Sequence, residues 1–171
     1  MKKLVFVING RGGVGKDTLC DFAARAFSVK NVSSITPVKE LAAQVGWQGE
    51  KTDRARRFLS DLKALLVDYN DYPTVWATEQ YHAFLASDAQ IMFLHIREGK
   101  EIDKFVRATA GQAKTLLIRR AAVHQEAYGN RSDDEVENYT YDYIFDNDLP
   151  LEEAEGAFVS YLRGILEEIK E

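Results

Sequence analysis

The sequence predicts an α/β fold in which a parallel β-sheet lies between layers of helices. Short apolar runs rich in β-branched and aromatic residues occur at residues 3–8 (KLVFVI) and 90–96 (QIMFLHI), and such runs are typical of strands buried on both faces. Segments with a helical period of apolar residues separate them. The chain has 171 residues with 3 Pro and 11 Gly, without an internal repeat or low-complexity linker, so we expect one domain over residues 1–171.

The elements can be justified in chain order. The first strand ends in a glycine-rich turn, and apolar positions at helical spacing from Lys16 predict a helix directly after it. Residues 32–36 predict a second strand, and Pro37 suits the first position of a helix that reaches Val45. The remaining predicted elements are helices over 50–69 and 74–85, a strand over 90–96, a helix over 100–110, strands over 114–118 and 143–145, and an amphipathic helix over 151–169. The pattern leaves the strand order open.

Charge is distributed unevenly along the chain. The formal net charge is −5, but residues 133–171 contain 13 acidic and 2 basic residues, whereas residues 1–132 contain 20 basic and 14 acidic residues. The first part of the chain can therefore attract phosphate-bearing ligands. The single Cys20 excludes an intramolecular disulfide, and no apolar run approaches the ~18 residues that cross a bilayer. We expect a soluble, cytoplasmic protein whose partner is a small molecule rather than a membrane or a nucleic acid.

A phosphate-binding pattern follows the first strand. Residues 9–18 read NGRGGVGKDT and satisfy G-x-x-x-x-G-K from Gly10 to Lys16, between a predicted strand and a predicted helix. Glycines allow successive N–H groups to point into one concavity at the positive end of the helix, where Lys16 can reach the β- and γ-phosphates of a nucleotide. The Ser or Thr that usually follows the lysine is replaced by Asp17, and the hydroxyl comes one place later. The predicted ATP-binding residues of this loop are Gly10, Gly12, Gly13, Val14, Gly15, Lys16, Asp17 and Thr18, with Mg²⁺ held by Asp17 and Thr18 directly or through water.

The loop sequence GRGGVGKDTLCDF resembles a branch of the nucleoside monophosphate kinase-like P-loop kinases that includes phage-type deoxynucleoside monophosphate kinases and animal-type phosphomevalonate kinases. The segments SSITPVKELAA and TYDYIFDNDLPLEEA are similar to later parts of those enzymes. The resemblance implies a three-layer P-loop NTPase fold, with acceptor-binding helices over approximately 47–88 and a small lid over 119–139. It also implies transfer of the γ-phosphate of MgATP to a small phosphorylated acceptor, and the leading candidate for this acceptor is a (deoxy)nucleoside monophosphate.

Other functions stay open at this point. The chain could be a kinase of a non-nucleotide phosphorylated metabolite, or a nucleotide-binding protein of kinase fold whose activity has lapsed. A GTPase is disfavoured because no Asn-Lys-x-Asp sequence is present. A motor ATPase is disfavoured because none of the predicted apolar strands is expected to end in Asp or Asp-Glu. The oligomeric state is not indicated by the sequence.

A basic cluster in the long helix over 50–69 supplies candidates for binding the acceptor. At 100° per residue, Lys51 and Arg54 lie on or beside the apolar face, Arg56 and Lys63 point away from it, and Arg57 can pair with an acidic residue four positions away. We therefore predict Arg54 and then Arg57 as acceptor-binding residues. The alternative is a solvated charged helix.

The family resemblance supplies three further candidates. It implies an Asp, an Arg two residues later and then a Glu after the second long strand, where this chain has His95, Arg97 and Glu101. Arg97 matches, so it is predicted to contact the acceptor and to act in catalysis with Lys16 and Asp17. His95 replaces the acid, which makes Asp17 the expected carboxylate near Mg²⁺; the alternative for His95 is a hydrogen-bonded structural histidine.

Two candidates lie after the third and last strands. By position, Arg119 is carried over as a lid residue that contacts ATP, with a surface charge as the alternative. Asn147, in the turn after the last strand, is predicted by the same resemblance to contact the adenine, or else to supply a turn conformation.

Overall fold

A five-stranded parallel sheet forms the centre of the protein. The computed structural model describes residues 2–124 and 135–169. The strands are β1 (Leu4–Asn9), β2 (Val29–Ser33), β3 (Ile91–His95), β4 (Lys114–Arg119) and β5 (Tyr143–Asp146), in the order β2-β3-β1-β4-β5. All four strand pairs are parallel, and Phe6 of β1 lies opposite Phe93 of β3 and Lys114 of β4. The predicted parallel sheet is confirmed, and β1 with its following loop lies at its middle.

Seven helices surround the sheet in the described part of the chain. They are α1 (Lys16–Ala26), α2 (Thr36–Gln44), α3 (Asp53–Asn70), α4 (Tyr72–Leu85), α5 (Gly99–Ala108), α6 (Ala121–His124) and α7 (Leu151–Glu168). α3 and α4 are separated by one residue, Asp71, with φ 52°. Among the described residues, no helix combines the length and the apolar character that a membrane span requires.

The side chains of β1 show why its sequence is continuously apolar. Leu4, Phe6 and Ile8 face one side of the sheet, where they pack in a core with α1 and α7. Val5 and Val7 face the other side and pack in a second core with α4 and α5. Because both faces are covered by helices, every β1 residue is buried. The result is the three-layer arrangement that the sequence predicts.

The largest boundary difference concerns β2, which runs over Val29–Ser33 instead of the predicted 32–36. β2 is an edge strand and is only half-buried, so its polar residues gave no clear alternation from which to place it. Thr36 belongs to α2, whose second residue is Pro37. α3 starts at Asp53 rather than residue 50 because the Thr52 hydroxyl accepts a hydrogen bond from the Ala55 N–H, capping the helix.

Candidate active site

The glycine-rich turn after β1 forms a loop that leads directly into α1. Gly13 and Gly15 have φ values of 81° and 85°, a region that favours glycine, and Gly15 is the N-cap of α1 without a side-chain cap. A Cβ at Gly10 would lie 2.8 Å from the Ile118 carbonyl oxygen. The loop therefore has the backbone conformation and the uncapped helix N-terminus that bind phosphate groups.

A buried amide supports this loop from beneath. Asn147 is 9% exposed, and its Nδ2 donates a hydrogen bond to the Val14 carbonyl oxygen at 2.9 Å. Its own backbone N–H donates to the Arg119 carbonyl oxygen at 2.7 Å. Asn147 thus holds the phosphate loop against the β4 end of the sheet, a role that sequence reasoning missed. The predicted contact with adenine stays a prediction.

A second buried amide, Asn9, ties the start of the loop to two other segments. Its Oδ1 accepts from the Gly10 N–H at 2.9 Å, and its Nδ2 donates to the Arg97 carbonyl oxygen and to the Tyr141 hydroxyl, both at 3.0 Å. The Tyr141 hydroxyl in turn donates to the Val136 carbonyl oxygen at 2.7 Å. The network fixes the position of the Arg97 backbone relative to the phosphate loop.

A cavity of about 770 Å³ opens at the carboxyl ends of β1, β2 and β3. Lys16 and Asp17 border it on the loop side, and Lys39, Lys63 and Arg97 border it on the other sides. Ligands of parallel α/β sheets bind at this end of the strands. The structure therefore brings three predicted residues, Lys16, Asp17 and Arg97, to one cavity. Thr18 is exposed and does not border it.

Lys63, predicted to point away from the apolar face of its helix, instead turns inward. Its side chain is 18% exposed, borders the cavity, and its Nζ lies 2.6 Å from Glu98 Oε1. The helical wheel misplaced it because α3 carries more apolar residues than it buries: Phe58 and Leu65 are 38% and 67% exposed. Packing against α2 and α4 sets which face of α3 turns inward.

Arg54 and Arg57, the predicted acceptor-binding residues, do not border the cavity in the described part of the chain. Both side chains are exposed on α3. On this helix, Lys63 is the basic residue that the fold places at the cavity. The signal that could have found it is its spacing of four from Leu59, which also borders the cavity.

His95 is hydrogen-bonded at the end of β3, as in the alternative considered for it. Its Nε2 lies 2.7 Å from Asn31 Oδ1. Burial lowers the pKa of His95 to about 4, and the positive charge of Lys16 adds to this effect. His95 is therefore neutral at pH 7 and does not supply the negative charge of the acid that it replaces.

The donor chemistry of the loop fits a magnesium ion that is held mainly by phosphate and water. Among the described residues, no group of three or more His, Cys, Asp or Glu side chains is arranged to hold a metal ion. Mg²⁺ in kinases commonly keeps several waters and takes only one or two carboxylates in addition to phosphate oxygens. Asp17 borders the cavity beside Lys16, and its role in holding Mg²⁺, with Thr18, stays a prediction.

Arg119 is engaged with a neighbouring strand. Its Nε and Nη2 donate to the two carboxylate oxygens of Asp146 at 2.8 and 3.0 Å, across the β4–β5 pair. The predicted contact of Arg119 with ATP stays a prediction, and it would require this bidentate pair to open. Of the predicted lid over 119–139, residues 125–134 lie outside the described residues. Of the described part, Val136 is buried, and Glu137 pairs with Arg11 of the loop at 3.4 Å.

The fold is shared with solved kinases of low sequence identity. The chain matches no protein-family model and no curated protein sequence. It is similar to a sugar kinase from Janibacter sp. HTCC2649, with TM-score 0.55, 14% identity and 100% of each chain covered. It is similar to a shikimate kinase from Bacteroides thetaiotaomicron, with TM-score 0.51, 17% identity, and coverage of 96% of this chain and 98% of that chain. It is also similar to a shikimate kinase from Aquifex aeolicus, with TM-score 0.53, 10% identity, and coverage of 97% of this chain and 100% of that chain. These similarities show that the chain has the P-loop kinase fold.

Proposed function

We propose that this protein transfers the γ-phosphate of MgATP to a small phosphorylated acceptor, with (deoxy)nucleoside monophosphates as the first acceptors to test. The observation that carries the proposal is the cavity, which has the phosphate loop with Lys16 on one side and Lys39, Lys63 and Arg97 on the other. An acceptor anion held by these cations would face the γ-phosphate of a nucleotide on the loop. The structural similarity to shikimate and sugar kinases supports phosphotransfer but does not select the acceptor.

The residues suggest how the transfer proceeds. An oxygen of the acceptor attacks the γ-phosphorus while the bond to the β–γ bridging oxygen breaks, and ADP leaves. Lys16 and the loop N–H groups stabilise the charge that moves onto the β-phosphate, and Arg97 orients the acceptor. Mg²⁺, when bound with Asp17, neutralises phosphate charge. Residues 119–139 are proposed to cover the phosphates so that water does not compete with the acceptor.

A second candidate is a kinase of a non-nucleotide phosphorylated metabolite. None of the described residues that border the 770 Å³ cavity is Phe, Tyr or Trp, whereas Ser33, Ser34, Thr36 and Ser60 are among them. Nucleobases are commonly bound by stacking on aromatic rings, and hydroxyl groups suit a polyhydroxylated acceptor. A third candidate is a protein with lapsed kinase activity, which the neutral His95 in place of an acid favours.

A screen for ADP release separates these candidates. The purified protein is incubated with MgATP and each nucleoside and deoxynucleoside monophosphate, phosphomevalonate, shikimate and gluconate. ADP release that depends on one acceptor identifies the substrate, and Lys16→Ala should abolish the release. Activity retained in Lys16→Ala would contradict the mechanism. ATP binding with no release for any acceptor would favour the lapsed kinase.

A further inference from the structure

The ion pair between Lys63 and Glu98 lies where two cavities meet. Lys63 and Glu98 border the 770 Å³ cavity and also a neighbouring cavity of about 450 Å³, and Ser60 and Arg97 border both as well. The pair joins α3 to the loop between β3 and α5, one residue after Arg97. The pair therefore forms part of the wall of both cavities.

The two partners differ in burial, and this difference indicates which of them can move. The Lys63 side chain is 18% exposed. A small space beside it is bordered by Pro73, Ala77 and Phe105, and also by Glu101, whose carboxylate pairs with Lys104. The Glu98 side chain is 53% exposed. Glu98 can turn into solvent at low cost, whereas the Lys63 ammonium stays in the cleft and needs a counter-ion there.

We propose that Lys63 binds the phosphate of the acceptor, and that Glu98 holds the Lys63 ammonium until the acceptor displaces its carboxylate. This inference rests on the proposed function. With Glu98 displaced, Lys39, Lys63 and Arg97 present three cations to the ligand. This charge suits a phosphate monoester, which carries close to two negative charges at pH 7. Lys63 would then distinguish phosphorylated acceptors from neutral ones.

The two partners should have opposite effects on anion binding. Removing Lys63 removes an anion contact, whereas neutralising Glu98 removes a competitor for that contact. If the pair only held α3 in place, either change would have the same sign, because both break the same bond. Opposite signs therefore distinguish a binding role from a purely structural one.

The experiment uses calorimetry to measure the binding of inorganic phosphate to the protein. The phosphate loop is first saturated with Mg²⁺ and a non-hydrolysable ATP analogue, so that the remaining phosphate site is the acceptor site. Lys63→Met should weaken phosphate binding by about tenfold or more, and Glu98→Gln should strengthen it by about threefold. Lys63→Arg keeps the charge and should stay within about threefold of the wild type. Arg56→Met, an equal loss of charge on the exposed side of α3, is the matched control and should not change binding.

Several results would overturn the inference. They are equal phosphate binding by Lys63→Met and wild type, weakening by both Lys63→Met and Glu98→Gln, and absence of saturable phosphate binding by the loaded wild-type protein. In all three cases the ATP analogue still binds, so the proposed function survives. Failure of the analogue to bind the wild-type protein would instead contradict the proposed function. Comparing phosphate with a phosphate monoester in the same titration tests whether the site accepts the ester.

Discussion

Replacing Asn147 by Asp is a sharp test of how the phosphate loop is supported. The two side chains have nearly the same shape, but the change replaces the Nδ2 donor, 2.9 Å from the Val14 carbonyl oxygen, by an oxygen without a proton. The native hydrogen bond is lost, and two oxygens face each other at a site that is 9% exposed. The expected effect is therefore larger than that of deleting an exposed hydrogen bond.

The magnitude follows from the two losses. Loss of the hydrogen bond and burial of unsatisfied polar atoms together cost about 3 kcal/mol at pH 8. For a chain of this length, that lowers the thermal unfolding midpoint by about 6–12 °C. Because Val14 lies within the loop, we expect affinity for MgADP to fall by about tenfold, or about 1.4 kcal/mol.

The effect should depend on pH in a defined direction. Burial raises the pKa of the carboxyl group that Asn147→Asp introduces above its unfolded value of about 3.9, because the charged form is desolvated. A protonated carboxyl can donate to the Val14 carbonyl oxygen again. The destabilisation is therefore full above the raised folded pKa and shrinks as the pH falls through it.

The assay is thermal unfolding of wild type and Asn147→Asp from pH 5 to pH 8, with MgADP titrations at pH 8. Asn70→Asp, at the exposed end of α3, is the matched control and should change the midpoint only slightly. An unchanged midpoint and unchanged MgADP affinity at pH 8 would refute the reasoning that Asn147 supports the loop.

Three further changes test other parts of the structure. Lys3→Met should lower the free energy of unfolding, measured by chemical denaturation, by about 1–3 kcal/mol, because the Lys3 ammonium donates to three carbonyl oxygens at and just beyond the end of α4 at 2.6–2.9 Å. Lys2→Met is the control, and equal losses in the two variants would contradict this reasoning. Gly10→Ala should abolish MgADP binding in calorimetry because the added Cβ has no space, and normal binding by this variant would be a refutation. By contrast, Gly156→Ala in α7 should stabilise the fold by up to about 1 kcal/mol. The native pKa of His95, about 4, lies below its unfolded value, so the contribution of His95 to stability is full above about pH 6.5 and is lost as the pH falls toward 4. His95→Asn should remove this part of the pH dependence of unfolding, and an unchanged curve of stability against pH would disprove this assignment.

Local patterns were sufficient to predict the class of fold and the phosphate loop. Apolar runs identify buried strands because a strand covered on both faces has no polar side, as β1 shows. The loop could be recognised because phosphate binding by loops of this kind depends on the backbone and on one lysine at fixed spacing, here within seven consecutive residues. The predicted start of the edge strand β2 lies three residues late because this strand is half-buried and lacks such a pattern.

The sequence by itself therefore determined the α/β fold, the loop over Gly10–Lys16 and the placement of Arg97 after a strand. The tertiary structure decided which cations face the cavity, because the rotation of α3 depends on its packing against α2 and α4 and not on its own apolar pattern. For this reason Lys63 borders the cavity, whereas Arg54 and Arg57 are exposed on the surface of α3. The support of Val14 by Asn147 joins residues 133 positions apart, and such a contact arises only when β5 and the loop are brought together by the sheet.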